Sequence, residues 1–83
     1  MSWSIEWSPR ALHDLYRISN WRTAARIDEA ILRLAESGQG DLRRVQSEEG
    51  SEFRLFVPPY FARVTRESAT RTIFVWRIVR YAR

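Results

Sequence analysis

Apolar and polar residues alternate one for one at both ends of this chain and follow a helical period between them. Trp3, Ile5 and Trp7 alternate with Ser4 and Glu6, the period-2 pattern of a half-buried strand. Ser8-Pro9 then reads as an N-cap followed by proline at the first helical position, where a missing N–H costs nothing. The spacing predicts a helix from Pro9 to Ile18, with Leu12, Leu15 and Tyr16 on the buried face and Arg10, His13, Asp14 and Arg17 on the wet one. Ser19-Asn20 interrupts the pattern. A second helix is expected from Trp21 to Glu36, buried along Ala24, Ile27, Ala30, Ile31 and Leu34, with Gly38 as its left-handed stop. Gln39 to Ser51 reads as a loop with a short extended piece around Leu42 to Val45.

Three strands are expected to close the chain: Glu52 to Val57, Tyr60 to Arg66 and Arg71 to Tyr81. Pro58-Pro59, which cannot donate to a ladder, marks the first turn, and Glu67 to Thr70 the second. The order β-α-α-β-β-β predicts a single α+β domain over residues 1–83, with the helical hairpin packed on one face of a mostly antiparallel sheet. Period-2 bookkeeping assigns Phe53, Leu55, Val57, Tyr60, Ala62, Val64, Phe74, Trp76 and Ile78 to the covered face. The opposite set is Arg54, Phe56, Phe61, Arg63, Thr65, Val75, Arg77, Val79 and Tyr81. Three neighbouring strands thus each present a guanidinium on one open face, with aromatic rings between. Trp3 and Trp7 are expected to anchor the first strand in the core.

Charge sharpens this picture. Residues 51–83 hold seven Arg against two Glu, whereas residues 1–50 hold seven Arg against eight acids, so the net charge of +4 belongs to the sheet-forming segment. A basic, ring-bearing sheet face suits a polyanion, RNA above all: cations hold phosphates and flat rings stack on unpaired bases. It equally suits an acidic protein partner or a groove for a partner helix or strand. Every basic residue but His13 is Arg. A GC-rich coding sequence accounts for that, while guanidinium forks also bind phosphate bidentately as ammonium groups do not. With no Cys and one His, thiolate chemistry is excluded and no metal or other cofactor is expected. The opening residues carry no signal-peptide pattern and no membrane span, so a cytoplasmic protein is expected.

Five segments in register carry a resemblance. Trp7 to Leu15 (WSPRALHDL), Ala24 to Ile31 (AARIDEAI), Gly40 to Val45 (GDLRRV), Glu52 to Val57 (EFRLFV) and Ile73 to Tyr81 (IFVWRIVRY) together resemble the RelE/ParE superfamily of toxins from type II toxin–antitoxin modules. The resemblance implies one of two activities. RelE-like members are metal-independent, ribosome-dependent endoribonucleases that cut mRNA by attack of the 2′-OH on the adjacent phosphate. ParE-like members instead poison DNA gyrase. Both imply a cognate antitoxin as partner, and a degenerate member kept only for antitoxin binding is the third reading.

The carry-over is partial. Of two basic positions in the segment matched by Glu52 to Leu55, Arg54 keeps the second and Glu52 replaces the first. The Arg expected after Tyr60 is Phe61, leaving Arg63 as the nearest cation. Arg80 and Tyr81 match a later basic pair, half of it kept, and the family's C-terminal tail Tyr has no match before Arg83. A YoeB-like subgroup has its carboxylate base near Gly40-Asp41, which makes Asp41 the candidate general base, beside Glu48-Glu49 and Tyr81. The resemblance therefore implies Arg54, Arg63, Arg80 and Tyr81 as catalytic residues. Arg77, Phe61, Arg43, Arg44 and Arg83 are expected to bind RNA.

Overall fold

Ser8 does at the first helix what its type predicts. In the computed structural model, which describes residues 2–48 and 50–81, strand β1 (Ser4–Trp7) leads into Ser8, and Ser8 Oγ accepts from the Ala11 N–H at 3.0 Å. That contact caps helix α1 (Pro9–Tyr16), and the same hydroxyl donates to the Trp76 carbonyl at 2.8 Å, fastening the helix start to the sheet. Asn20 Oδ1 accepts from the N–H groups of Arg22 and Thr23 and caps helix α2 (Trp21–Ser37). Gly38, at φ 74°, ends α2 by donating its N–H to the Leu34 carbonyl, a conformation that a side chain would strain.

The sheet has five strands, in the order β1-β5-β4-β3-β2. Strands β2 (Leu42–Ser47), β3 (Gly50–Val57), β4 (Tyr60–Glu67) and β5 (Thr72–Arg80) form antiparallel pairs, and β1 lies parallel to β5. The fold is α+β, with the helices on one face. Ala11 of α1 and Ile27, Ile31, Leu34 and Ala35 of α2 pack on Leu55, Val57, Ala62, Val64, Ile73, Val75 and Ile78. Each fully buried aliphatic side chain there contributes about 1.5–3 kcal/mol.

Three expectations need correcting. The short extended piece expected around Leu42 to Val45 is a full strand, Leu42–Ser47, inside the segment read as loop: Leu42 and Val45 straddle two arginines, so no period-2 pattern announces its length, and the ladder to β3 holds it in place. Tyr16 is 79% exposed rather than buried. The stripe that meets the sheet is Ala11, Leu15 and Ile18, spaced four and three residues apart, and Tyr16 falls one position further round the helix.

The third correction concerns β5. Arg63 opposes Arg77 but Val64 opposes Val75, so Trp76 is the extra residue of a β-bulge. The bulge reverses the alternation. Ile73 and Val75 join the core with Ile78, whereas Trp76, 46% exposed, stacks on Phe74 at 5.8 Å on the open face. Trp76 Nε1 also donates to Thr65 Oγ1 at 2.7 Å, which gives the exposed indole its partner.

Candidate functional site

Strand register sorts the open face into three cross-strand rows. The pairs Val45–Glu52 and Thr65–Phe74 mark one, and Arg43, Arg54, Arg63 and Arg77 form the next. The third runs from Asp41, whose carbonyl accepts from the Phe56 N–H at 2.8 Å, through Phe56 and Phe61 to Val79. Four arginines therefore stand in register across β2, β3, β4 and β5. Like charges directly opposite one another destabilise a sheet, so such a row needs counter-charge.

Three carboxylates provide it. Asp41 takes both ends of the Arg43 fork, at 3.2 and 3.3 Å. Glu52, next to the row, accepts from Arg63 Nη2 at 2.8 Å and Nε at 3.1 Å through one oxygen, and from Arg54 Nε at 3.5 Å through the other. Asp14 reaches in from α1 and accepts from Arg77 Nε at 2.8 Å and from the Ile78 N–H at 3.0 Å. Hydrogen bonding from Arg63 holds the Glu52 carboxyl below its ordinary value; partial burial opposes this, and Arg54 adds to it. Burial pushes the Asp14 carboxyl up, but the hydrogen bonds from Arg77 and the Ile78 N–H outweigh it, and its pKa is lowered. Both are ionised at neutral pH and offset half of the row's four positive charges.

Beside the row lies an aromatic cluster. Phe56, Phe61 and Tyr81 meet pairwise with ring centroids 5.2–5.9 Å apart, Tyr81 edge-on to Phe56. Arg43 sits 4.4 Å over the Phe56 ring and Arg54 4.7 Å over Phe61. Tyr81 is half exposed, whereas Phe61 is 8% exposed beneath its neighbours. Phe61 therefore supports the surface and has no free face for a base to stack on. A shallow depression of about 660 Å³, lined by Glu48, Glu52, Arg54, Arg63 and Thr65, opens at the other side of the row. Chemically this face can hold phosphate oxygens, stack one or two flat rings and offer a phenol and carboxylates for proton transfer.

The structure brings together Arg54, Arg63, Tyr81, Arg43, Phe61 and Asp41, while Arg77 shares their register but turns its guanidinium to Asp14 of α1. Two expected members lie elsewhere. Arg80 opposes Tyr60 and stands over its ring at 5.8 Å, on the helix-covered side, because alternation sends it opposite to Tyr81. Arg44 opposes Phe53 on that same side and donates to Ser51 Oγ at 3.0 Å. Arg83 and Glu49 lie outside the described residues. The residue that sequence reasoning undervalued is Glu52, read there as a lost cation. The two-residue turn at Pro58-Pro59 pairs Val57 with Tyr60, so counting back from it sets Arg54 against Arg63 and Glu52 beside both. Nothing comparable in the sequence points to Asp14, which is 63 residues from Arg77.

No family model matches this sequence, and no curated protein was found to match it. Solved structures do. A chain of the toxin–antitoxin complex RelBE2 from Mycobacterium tuberculosis superposes with a TM-score of 0.86 at 15% identity, covering 100% of this chain and 95% of that one. A chain of the archaeal RelE–RelB complex from Pyrococcus horikoshii OT3 superposes with a TM-score of 0.79 at 10% identity, covering 96% of each. The chain has the RelE-type fold, as its sequence resemblance implied. Among the described residues no helix is long and apolar enough to cross a membrane.

Proposed function

We propose that this protein is the toxin of a type II toxin–antitoxin pair and acts as a metal-independent, ribosome-dependent mRNA endoribonuclease. The observation that carries the reading is the single row of Arg43, Arg54, Arg63 and Arg77 beside the Phe56–Tyr81 rings, on the uncovered face of a RelE-type fold. Arg54 and Arg63 hold the nonbridging oxygens of the scissile phosphate and stabilise the charge that builds there. The 2′-oxygen attacks phosphorus and the bond to the 5′-oxygen breaks, leaving a 2′,3′-cyclic phosphate and a 5′-OH. Asp41 takes the 2′-OH proton and the Tyr81 phenol returns one to the leaving 5′-oxygen. A cognate antitoxin, acidic where it meets the arginine row, completes the pair.

One observation favours a second reading, a gyrase inhibitor or antitoxin-binding member with no chemistry of its own: every guanidinium of the row already has a carboxylate partner. Primer extension on a reporter mRNA in a reconstituted translation system separates the two. Ribosome-dependent cuts that vanish in the Arg54→Ala/Arg63→Ala variant are expected. Intact mRNA with normal protein synthesis rejects cleavage and directs the next assay to gyrase supercoiling.

A further inference from the structure

Glu52 has an unusual position for a carboxylate on a face proposed to grip phosphate. Its two oxygens are divided between two arginines: one lies in the Arg63 fork at 2.8 and 3.1 Å, the other 3.5 Å from Arg54 Nε. The side chain is mostly buried, with 21% exposure, while Arg63 and Arg54 keep 44% and 36%. It is therefore a partly buried anion held by both arginines rather than a freely solvated surface acid. Arg54 and Arg63 face each other across β3 and β4, so without Glu52 the two cations would repel at close range.

We infer that Glu52 occupies the phosphate seat of Arg54 and Arg63 and sets the selectivity of this face, excluding free single-stranded RNA and yielding only to a backbone that is delivered and held in place. The inference rests on the RNA reading above and deepens it. Binding at this seat is an exchange of one anion for another. A free strand gains little from that exchange, because each new phosphate contact breaks an existing charge-assisted bond. A strand already positioned by a larger assembly has had its ordering cost met and can displace the carboxylate. The Arg43 and Arg77 partners, Asp41 and Asp14, each serve a single arginine of the row; Glu52 alone spans two.

The test is binding of a fluorescent single-stranded RNA oligonucleotide by anisotropy, without ribosomes, at several salt concentrations. Glu52→Gln keeps the side-chain shape and removes the charge. It is expected to bind at least tenfold tighter than the unaltered protein, with a log–log salt slope steeper by about 0.7–1.4, one to two further phosphate contacts on a single strand. The gain should vanish in Glu52→Gln/Arg54→Ala/Arg63→Ala. Glu36→Gln makes the same charge change on α2, on the helix-covered side of the sheet, and should leave affinity within about twofold. No gain in Glu52→Gln, an equal gain in Glu36→Gln, or a gain that survives loss of both arginines each overturns the inference. Should Glu52→Gln fold poorly, the unaltered protein still decides by NMR. Free RNA should leave the Arg63 Nε–H signal, held by Glu52, in place, and a shift of that signal on adding free RNA overturns the exclusion. Retention on immobilised heparin separates this inference from the RNA reading. Later elution of Glu52→Gln that depends on Arg54 and Arg63 supports the seat even where the protein cuts no mRNA.

Discussion

Asp14 holds Arg77 and the backbone of Ile78 at once, accepting at 2.8 Å from the guanidinium and at 3.0 Å from the N–H. β1 pairs with β5 only from Thr72 to Val75; beyond that point Ser8 bonds the Trp76 carbonyl and Asp14 of α1 takes the Ile78 N–H. One side chain thus fastens the helix to the sheet and orients the last arginine of the row. Asp14→Ala leaves the Ile78 N–H without its partner and is expected to cost about 1–3 kcal/mol in urea unfolding. Asp14→Asn keeps an acceptor and should cost less. Equal stability of all three proteins would show that the Ile78 N–H is satisfied some other way.

Acid should loosen the molecule through Asp14 and Glu52. Both carboxyls titrate lower in the folded chain than their ordinary values of 3.8 and 4.5. As pH falls the unfolded chain binds protons first. The stability they contribute is therefore complete above about pH 4.5 and is lost as pH falls through the lower folded values. Thermal midpoints are expected to be level near neutrality and to drop below that point. The Glu52→Gln variant should show a shallower drop, and a midpoint that falls instead on raising pH from 5 to 7 would contradict the assignment.

The proton-transfer role of Tyr81 can be isolated from its packing. Tyr81→Phe keeps the ring against Phe56 and Phe61 and removes only the hydroxyl. Cleavage is expected to fall about 10²–10⁴-fold with melting unchanged. Arg80→Ala, on the other sheet face, should keep cleavage within a few-fold. Full activity of Tyr81→Phe would move the acid elsewhere, and an Arg80→Ala loss as deep as that of Arg54→Ala would mean β5 turns over at its end on binding.

The β5 bulge makes a prediction about stability. Ile73 is 1% exposed, and Ile73→Ala should cost about 2–5 kcal/mol. Trp76→Ala removes an exposed stack with Phe74, worth about 0.5–1.5 kcal/mol, and should be the milder change although Trp is the larger residue. The reverse order in denaturant unfolding would place Trp76 in the core.

Gly40 is confined for two reasons. Its φ is +150°, and a Cβ there would stand 2.8 Å from Leu55 Cδ1. Gly40→Ala is expected to destabilise by about 1–3 kcal/mol. It should also disturb the adjacent Asp41–Arg43 pair, which cleavage assays at saturating ribosome would register.

Much of this architecture is written locally. Ser8-Pro9 and Gly38 bound the helices because capping is a transaction among residues three or four apart, and Ile27, Ile31 and Leu34 mark the buried stripe because helical period alone brings them to one side. Alternation sorts β3 and β4 correctly, so Arg54, Arg63 and Phe56 are legible as neighbours on one face. What tertiary structure alone decided lies where no local rule operates. β2 has no period of its own and is a strand only because β3 offers a ladder. Trp76 breaks the count in β5 because a bulge depends on both partners' registers, and its reversal carries Val75 inward and Phe74 outward. The charge state of the site is likewise a tertiary fact. Sequence shows an arginine-rich segment, but whether those arginines are free or already held depends on Asp14 arriving from a distant helix and on Glu52 lying between two strands, and electrostatics follows distance in space rather than along the chain.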